Sequence, residues 1–165
     1  MKETKYPQAL WSEILPGLWQ GGTHDTDVAG GYTVPRKTPT KLHFDSVFTF
    51  YGSANGAGWN VKEIRFPFYD GDLTDIDPEH DLWLAVTQAH SDWKAGKRVL
   101  VRCQAGLNRS GLVMTLVLIR AGYTPEDAIA LIRQQRGEAA MCNPTFERWL
   151  LNKADVNFWR SSEAA

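Results

Sequence analysis

Residues 99–112, VLVRCQAGLNRSGL, decide the fold of this chain and its candidate chemistry. The β-branched apolar run at the start predicts a short buried strand that ends near Arg102. Residues 110–121 are strongly apolar and stop before Gly122, which predicts a helix. Because few residues connect the two elements, the chain must turn tightly, and Gly106 permits the unusual backbone angles that this turn requires. We therefore expect the loop amides to face inward.

A tight loop between a strand and a helix is suited to binding an anion. Its N–H groups line a concave surface at the positive end of the helix dipole, where a phosphate-sized group fits. Arg109 adds a planar guanidinium that matches two oxygens of a phosphoryl group. We predict that the phosphate-binding residues are Gln104, Ala105, Gly106, Leu107, Asn108 and Arg109.

Cys103 lies at the start of this loop. A free thiol has a pKa of about 8.5, and helix N-termini and nearby cations lower it by several units. Phosphoryl transfer requires mainly positioning and charge stabilisation, which the loop can supply. We therefore predict that Cys103 is an activated nucleophile.

The second cysteine provides an internal control. Cys142 also precedes an arginine, Arg148, by six positions, but no apolar strand comes before it and no glycine follows it. Spacing alone is therefore a weak signal, and we interpret Cys142 as a packing residue. The alternative is a reversible disulfide with Cys103 that protects the nucleophile from oxidation.

Composition and charge describe an ordinary globular chain. The 165 residues are 43% hydrophobic and 22% charged, with a net charge of −1, which fits a single domain over residues 1–165 and argues against a long nucleic-acid track. The N-terminal sequence lacks a signal-peptide pattern and no apolar run is long enough to span a membrane, so we expect a cytoplasmic protein that does not bind membranes. The histidines are scattered, and we expect no metal and no cofactor.

Strand signals precede helix signals along the chain. Residues 13–22 predict an edge hairpin, and residues 44–51 and 61–68 predict strands. Helix starts are predicted where a capping residue precedes a proline, at Asp77, Thr124 and Asn143, with the first helix running to Gly96. This order predicts an α/β fold with a small central sheet flanked by helices.

Two segments lack these signals. Residues 23–41 are rich in glycine, threonine and proline and carry no sustained periodicity, so they predict a long loop insertion. Residues 161–165 predict a frayed tail.

The loop at residues 103–110 resembles the signature loop of the cysteine-based protein tyrosine phosphatase superfamily, Cys-x5-Arg followed by Ser or Thr, and specifically its small dual-specificity branch. EILPGLWQGG at 13–22 is similar to the opening strand segment of that branch, FPFYDGD at 66–72 to its general-acid loop, and CNPTFERWL at 142–150 to its closing helix. The resemblance covers most of the chain outside residues 23–41. It implies a mostly parallel central sheet with helices on both sides.

The resemblance also implies catalytic roles. Cys103 would attack phosphorus to give a phosphocysteine, while Arg109 and the amides of residues 104–109 hold the oxygens. Ser110 would stabilise the cysteine thiolate as it leaves. The implied substrate is phosphotyrosine in proteins, with phosphoserine and phosphothreonine as a broader option. We expect the protein to be a monomer.

A carboxylic acid must also protonate the leaving group, and four aspartates compete for this role. Asp70 follows FPFY directly and matches the family position best, with Asp72 as the nearest alternative. Asp77 more plausibly caps a helix, and Asp75 has no special position.

One departure from the family pattern concerns residue 102. The family usually has histidine before the nucleophile, where this chain has Arg102. A second cation there could favour the thiolate, or its side chain could point away and leave the thiol of Cys103 less activated.

Three other functions stay open at this stage. Asn108 makes the loop similar to that of RNA 5′-triphosphatases, which would make an RNA 5′ end the partner. Phosphoinositides are another substrate class, although the loop lacks the extra lysines that such headgroups favour. Arg102 is the feature that favours a non-catalytic phosphate-binding module.

Overall fold

A computed structural model describes residues 6–23 and 37–162. The strands of this part are β1 Trp11–Leu15, β2 Leu18–Gly21, β3 Ser46–Thr49, β4 Lys62–Arg65 and β5 Val99–Arg102. The helices are α1 Pro78–Asp81, α2 Trp83–Lys94, α3 Arg109–Arg120, α4 Pro125–Arg136, α5 Pro144–Asn152 and α6 Val156–Arg160.

The strands form one sheet in the order β1-β2-β5-β3-β4. β1 and β2 are the predicted antiparallel edge hairpin, and the other three pairings are parallel. β5 lies at the centre, where it is covered on both faces, and this explains its continuous apolar sequence. The α/β class with a small, mostly parallel sheet is confirmed.

The sheet separates two apolar clusters. Val99 and Val101 belong to the large core beneath the helices, whereas Leu100 joins Phe44 and Val47 in a smaller cluster. Because successive strand residues point to opposite faces, the two clusters lie on opposite sides of the sheet. The described helices that contact the sheet pack on the large core. In the described ranges the second face carries loop side chains such as Phe44 and Val61 together with Trp11 and Trp19 of the edge hairpin.

Helix α3 forms the centre of the large core and fixes the direction of the loop before it. All residues from Ser110 to Ile119 are buried, because α2 and α4 flank the helix and β5 lies beneath it. Burying a leucine such as Leu112 or Leu116 contributes about 1.5–3 kcal/mol. The N-terminus of α3 is therefore rigidly aimed at the end of β5.

Two expectations about the helices were wrong. The single helix expected from Pro78 to Gly96 is broken at Leu82, which packs fully buried in the core while its ψ of −5° departs from helical geometry. Asp77 makes no side-chain cap, and its own backbone N–H donates to the Asp81 carboxylate at 2.8 Å. Apolar periodicity indicates which side chains are buried, but it does not indicate such a local break.

The other two predicted caps are confirmed. Thr124 accepts the Asp127 N–H, and Asn143 accepts two amides at the start of α5. The sequence did not indicate α6, a five-residue helix that Asp155 caps and that buries Trp159 completely.

Parts of the predicted loop and tail fall on residues 24–36 and 163–165, outside the described ranges. Within the described tail, the carbonyl of Ser161 accepts a hydrogen bond of 2.6 Å from Arg120. No helix in the described part of the chain has the length and apolar character needed to span a membrane.

A buried ion pair lies on the second face of the sheet. Arg102 is 2% exposed and donates to Thr49 Oγ1 at 3.0 Å, to the Asn55 carbonyl at 2.6 Å and to Glu63 Oε2 at 3.0 Å. Burial of Glu63 opposes its ionisation, but hydrogen bonds from Thr49, the Ala57 amide and Arg102 outweigh it and lower the carboxyl pKa. The pair joins β5 to β4 across β3.

We expect Glu63→Met to lower the free energy of unfolding by about 3–5 kcal/mol, because it leaves the buried Arg102 charge unpaired. Urea unfolding at pH 7 measures the loss. Since the Glu63 pKa lies below its ordinary 4.5 in the folded state, the difference from the unsubstituted protein should persist above that pH and shrink as the pH falls through the lowered value.

The double variant Glu63→Met/Arg102→Met is the matched control and should recover most of the stability. A loss below about 1 kcal/mol in Glu63→Met, within the range of an exposed pair, would contradict the assigned role.

Candidate active site

The candidate site is the loop between β5 and α3, at the carboxyl end of the central strand. Ligands of open α/β sheets bind at this edge, where helix N-termini converge. β5 positions Cys103 through the pairing of Arg102 with Gly21 on one side and Thr49 on the other. The Cys103 amide extends the pairing by donating to the Gly21 carbonyl at 3.2 Å.

The loop carbonyls all point away from the concave side. Five consecutive carbonyls, those of residues 104–108, accept hydrogen bonds from groups outside the turn. Backbone amides donate to three of them: Thr23 to Gln104, Met141 to Leu107 and Leu112 to Asn108. Side chains donate to the other two: Arg136 to Ala105 and Gly106, and Gln20 to Gly106. In a trans peptide the next residue's N–H points opposite to the carbonyl. The amides of residues 105–109 therefore face the interior of the loop, which agrees with the inward orientation expected for these five of the six predicted positions.

Arg136, at the end of α4, holds this orientation. Its side chain is buried and donates to the Gly106 carbonyl at 3.1 Å and the Ala105 carbonyl at 3.3 Å. Its other contacts reach the Ala9 carbonyl at 2.7 Å and Ser12 Oγ at 3.0 Å. One guanidinium thus ties the loop to the segment that leads into β1.

Gly106 is required for two reasons. Its φ is +72°, in the region that side chains disfavour. A Cβ at this position would also overlap the backbone of Gly21 and Gly22, lying 2.6 Å from the Gly22 nitrogen. The glycine pair at the end of β2 and Gly106 therefore make a close backbone contact that no larger residue permits.

The N-terminus of α3 also opens onto the loop. Asn108 occupies its N-cap position, but the Asn108 side chain makes no hydrogen bond to the first helix amides. The first amides of the helix therefore receive no cap from the Asn108 side-chain oxygen, and an oxyanion in the loop would take that place.

Cys103 and Ser110 meet at the base of the loop. Cys103 is 2% exposed and its Sγ lies 3.2 Å from Ser110 Oγ, which is fully buried. A hydroxyl at this distance can donate to a thiolate and stabilise its charge. The structure thus brings the predicted nucleophile and the predicted hydroxyl together.

Arg109 is the first residue of α3 and follows the loop directly. It lies over the Tyr51 ring with 5.4 Å between the guanidinium carbon and the ring centroid. Its Nε is buried and has no hydrogen-bond partner among the described residues. A buried, unpaired donor on a charged group is costly, and an oxyanion ligand would satisfy it.

Asp70 is held against the loop by two asparagines. Its Oδ2 accepts from Asn108 Nδ2 at 3.2 Å, and its Oδ1 accepts from Asn143 Nδ2 at 2.8 Å. The Asn143 amide in turn donates to Asn108 Oδ1 at 2.9 Å, and its side chain also bonds to the Gly71 carbonyl. The segment that carries Asp70 is therefore fastened both to the loop and to the start of α5.

Asp72, the alternative acid, takes part in a local turn instead. Both the hydroxyl and the amide of Thr74 donate to its Oδ1, at 2.7 Å and 3.2 Å, and they lower the pKa of Asp72 below its ordinary value. A lower pKa makes a carboxyl a poorer proton donor at neutral pH. The contact of Asp70 with the loop through Asn108 favours Asp70 as the candidate acid.

The Arg102 side chain points away from the loop and from Cys103. Its side chain lies on the second face of the sheet, bonded to Thr49 and paired with Glu63, so the charge is neutralised away from the loop. Burial lowers its pKa despite that pairing. Arg102 therefore does not replace the histidine that the family pattern places before the cysteine.

Sequence reasoning missed two residues that shape the site. Arg136 reads as an arginine that complements the dipole at a helix C-terminus, and nothing local marks it as buried. Asn143 was recognised only as a cap, although its side-chain oxygen caps α5 while its nitrogen holds Asp70.

The adjacent Cys142 is exposed and lies 3.5 Å from Asn108 Nδ2. No group of three or more metal-ligating side chains occurs within residues 6–23 and 37–162.

Comparison with known families matches residues 38–156 to the dual specificity phosphatase catalytic domain. The chain belongs to this family. The matched region contains β3 to β5, the loop and the Asp70 segment, which are the parts that build the site.

Individual relatives match this chain either over less than half of its length or at less than 30% identity. Human protein tyrosine phosphatase type IVA 3 is 38% identical over 76 residues, which cover 46% of this chain and 43% of that protein. Human dual specificity protein phosphatase 2 is 28% identical over 142 residues, covering 80% of this chain and 40% of that protein. The chain thus spans about two fifths of the length of these curated relatives.

Two solved structures share the fold. Human DUSP28 has a TM-score of 0.69 at 21% identity, covering 89% of this chain and 94% of its own. A mouse putative dual specificity phosphatase complexed with zinc tungstate has a TM-score of 0.67 at 22% identity, covering 93% of this chain and 89% of its own.

We expect Arg109→Lys to weaken the binding of inorganic phosphate about tenfold or more. Lysine keeps the charge but loses the planar fork, and a charged hydrogen bond contributes about 1.5–3 kcal/mol. Isothermal titration with phosphate measures the loss. Arg148→Lys, six residues after Cys142, is the matched control and should bind as the unsubstituted protein does; equal affinities for all three proteins would contradict the assignment.

Proposed function

We propose that this protein is a phosphomonoester hydrolase that works through a phosphocysteine intermediate. The observation that carries the proposal is the set of outward carbonyls from Gln104 to Asn108, which leaves inward amides beside the Cys103 sulfur and the Arg109 Nε. This arrangement supplies a nucleophile together with positive dipoles and a guanidinium that can bind a phosphoryl group.

The first step transfers the phosphoryl group to sulfur. The Cys103 thiolate forms a bond to phosphorus while the bond from phosphorus to the ester oxygen breaks. The inward amides and Arg109 stabilise the negative charge that spreads over the three phosphoryl oxygens. The leaving oxygen takes a proton from Asp70, so that an alcohol or a phenol departs rather than its anion.

The second step returns the enzyme to its starting state. Water attacks phosphorus, the bond to sulfur breaks, and Asp70 accepts the proton that the water loses. Inorganic phosphate is released and the sulfur leaves as a thiolate. The Ser110 hydroxyl, 3.2 Å from Sγ, stabilises that thiolate.

The proposed substrate is phosphotyrosine in proteins, with phosphoserine and phosphothreonine as the wider range. Family membership supports a phosphorylated partner of this kind, and Tyr51, stacked on Arg109, offers an aromatic surface next to the loop. A cytoplasmic location and a monomeric state are part of the same proposal.

Hydrolysis of an RNA 5′-triphosphate is less well supported. The similarity to RNA 5′-triphosphatases came from Asn108. In the structure the Asn108 side chain bonds to Asp70 and to the Asn143 amide. A phosphate leaving group needs little protonation, so an enzyme that cleaves anhydrides has little use for a fastened carboxyl. The contact therefore supports ester hydrolysis.

A non-catalytic binding module is also less well supported. Arg102 was the feature that favoured it, but its side chain is occupied by Glu63 on the other face of the sheet. The hydrogen bonds of the Arg102 side chain go to Thr49, Asn55 and Glu63, so the arginine at position 102 leaves the Cys103 sulfur and its partner Ser110 undisturbed.

The direct test is a rate panel of phosphotyrosine, phosphoserine and phosphothreonine peptides, a phosphoinositide and RNA with a 5′-triphosphate end. We expect turnover of phosphotyrosine peptide that disappears, with its initial phosphate burst, in Cys103→Ser. Inorganic phosphate should still bind to Cys103→Ser, because the amides and Arg109 remain. Cys142→Ser is the matched control and should turn over normally.

Cleavage of RNA ends or of phosphoinositide without turnover of any phosphopeptide would overturn the substrate assignment. Undiminished turnover in Cys103→Ser would overturn the mechanism itself.

We expect Asp70→Asn to slow the hydrolysis of phosphoserine peptide by about 10²–10⁴-fold, the usual contribution of a general acid. Aryl phosphates with good leaving groups should lose less, because a stable phenolate needs less protonation. Asp72→Asn is the matched control and should change neither rate strongly. Equal losses for both substrate classes in Asp70→Asn would assign the proton transfer to another residue.

A further inference from the structure

Gln20 is a polar residue in a fully buried position of β2. Its relative exposure is 0%, and it lies between Trp19 and Gly21 on the face of the sheet that carries the large core. Its Nε2 reaches the candidate site, where it lies 3.1 Å from the Gly106 carbonyl and 3.3 Å from Ser110 Oγ.

The orientation of this amide is determined by its neighbours. The Gly106 carbonyl can only accept hydrogen bonds, so the Gln20 atom beside it must be the nitrogen. The same NH₂ group then has its second hydrogen for Ser110 Oγ. Gln20 is therefore a donor to the hydroxyl, never an acceptor from it.

Because Gln20 donates to Ser110 Oγ, the Ser110 hydroxyl must donate its own hydrogen to a different acceptor. A serine in the first turn of a helix commonly donates back to the carbonyl four residues earlier, here that of Gly106. That oxygen already accepts from Arg136 Nε and from Gln20 Nε2, which use both of its lone pairs. Once Cys103 is ionised, its sulfur, 3.2 Å from Ser110 Oγ, is the remaining acceptor.

We propose that Gln20 is a positioning residue that aims the Ser110 hydroxyl at Cys103 and so stabilises the thiolate. It acts in two ways, by donating to Ser110 Oγ and by blocking the competing acceptor on Gly106. The inference rests on the proposed phosphocysteine mechanism. It also assigns a source of thiolate stabilisation in a chain whose Arg102 is paired with Glu63 on the opposite face.

The role of Gln20 is distinct from a contribution to folding. Its Oε1 is buried and has no hydrogen-bond partner among the described residues, which penalises the folded state. An apolar side chain of similar size would remove that penalty. Gln20→Met also removes the two hydrogen bonds of Nε2, so the melting temperature should change little while the alkylation midpoint of Cys103 rises; a residue that only supported the fold would lower the melting temperature and leave the midpoint unchanged.

The test uses the full chain with Cys142→Ser, so that Cys103 is the one thiol that reacts. The rate of alkylation by iodoacetamide is measured against pH, together with thermal unfolding. We expect Gln20→Met to raise the midpoint pH of alkylation by about half a unit to one unit, a shift of about 0.7–1.4 kcal/mol. At pH values below the midpoint this corresponds to alkylation that is about three- to tenfold slower.

The same substitution in a Ser110→Ala background tests whether Gln20 acts on Cys103 through the Ser110 hydroxyl. There Gln20→Met should add no further shift, because its action passes through the hydroxyl. Thr115→Val, which removes a buried hydroxyl one turn further along α3 that bonds to the Gly111 carbonyl, is the matched control and should leave the midpoint unchanged. Gln20→Leu repeats the measurement in case methionine packs poorly.

The outcomes separate this inference from the proposed function. An unchanged midpoint in both Gln20 variants, with a raised one in Ser110→Ala, would overturn the role of Gln20 and leave the mechanism standing. An equal shift in the Ser110→Ala background would overturn it as well, since the effect would bypass the hydroxyl. If Ser110→Ala also had no effect and phosphopeptides were not hydrolysed, the mechanism and this inference would fall together.

Discussion

The rest of the site depends on one constraint, the outward anchoring of the loop carbonyls between β5 and α3. A loop of six residues cannot hold its amides on one side unless the carbonyls on the other side are satisfied. Arg136 meets this need for two of them from inside the core, and the Thr23 and Met141 amides serve two more. The fold thus supplies a surface of positive dipoles before any ligand arrives.

The surrounding elements make that surface reactive. The buried face of α3 directs its N-terminus at the loop, and β5 places Cys103 and Ser110 within 3.2 Å of each other. Asn143 links the start of α5 to the segment carrying Asp70, so that a helix cap and the position of a candidate acid depend on the same side chain. Catalytic groups from distant parts of the sequence are therefore held by a few shared contacts.

The sequence predicts the parts of this structure that rest on local patterns. The apolar run, the glycine and the capping residues indicate β5, the turn and most helix starts, and together they identify Cys103 and Arg109. Long-range pairing leaves no such signal, since Arg136 contacts a carbonyl 127 positions away and Gln20 a hydroxyl 90 positions away. The break at Leu82 was missed for a related reason, because periodicity reports burial and carries no information about one backbone angle.

The most direct test is a crystal structure of the protein with vanadate, which adopts the geometry of phosphorus during transfer. The account predicts vanadium bonded to the Cys103 sulfur, with equatorial oxygens accepting hydrogen bonds from the amides of residues 105–109 and from Arg109, and an apical oxygen facing Asp70. Vanadate bound elsewhere, or bound in the loop without a bond to sulfur and with the amides turned outward, would contradict it.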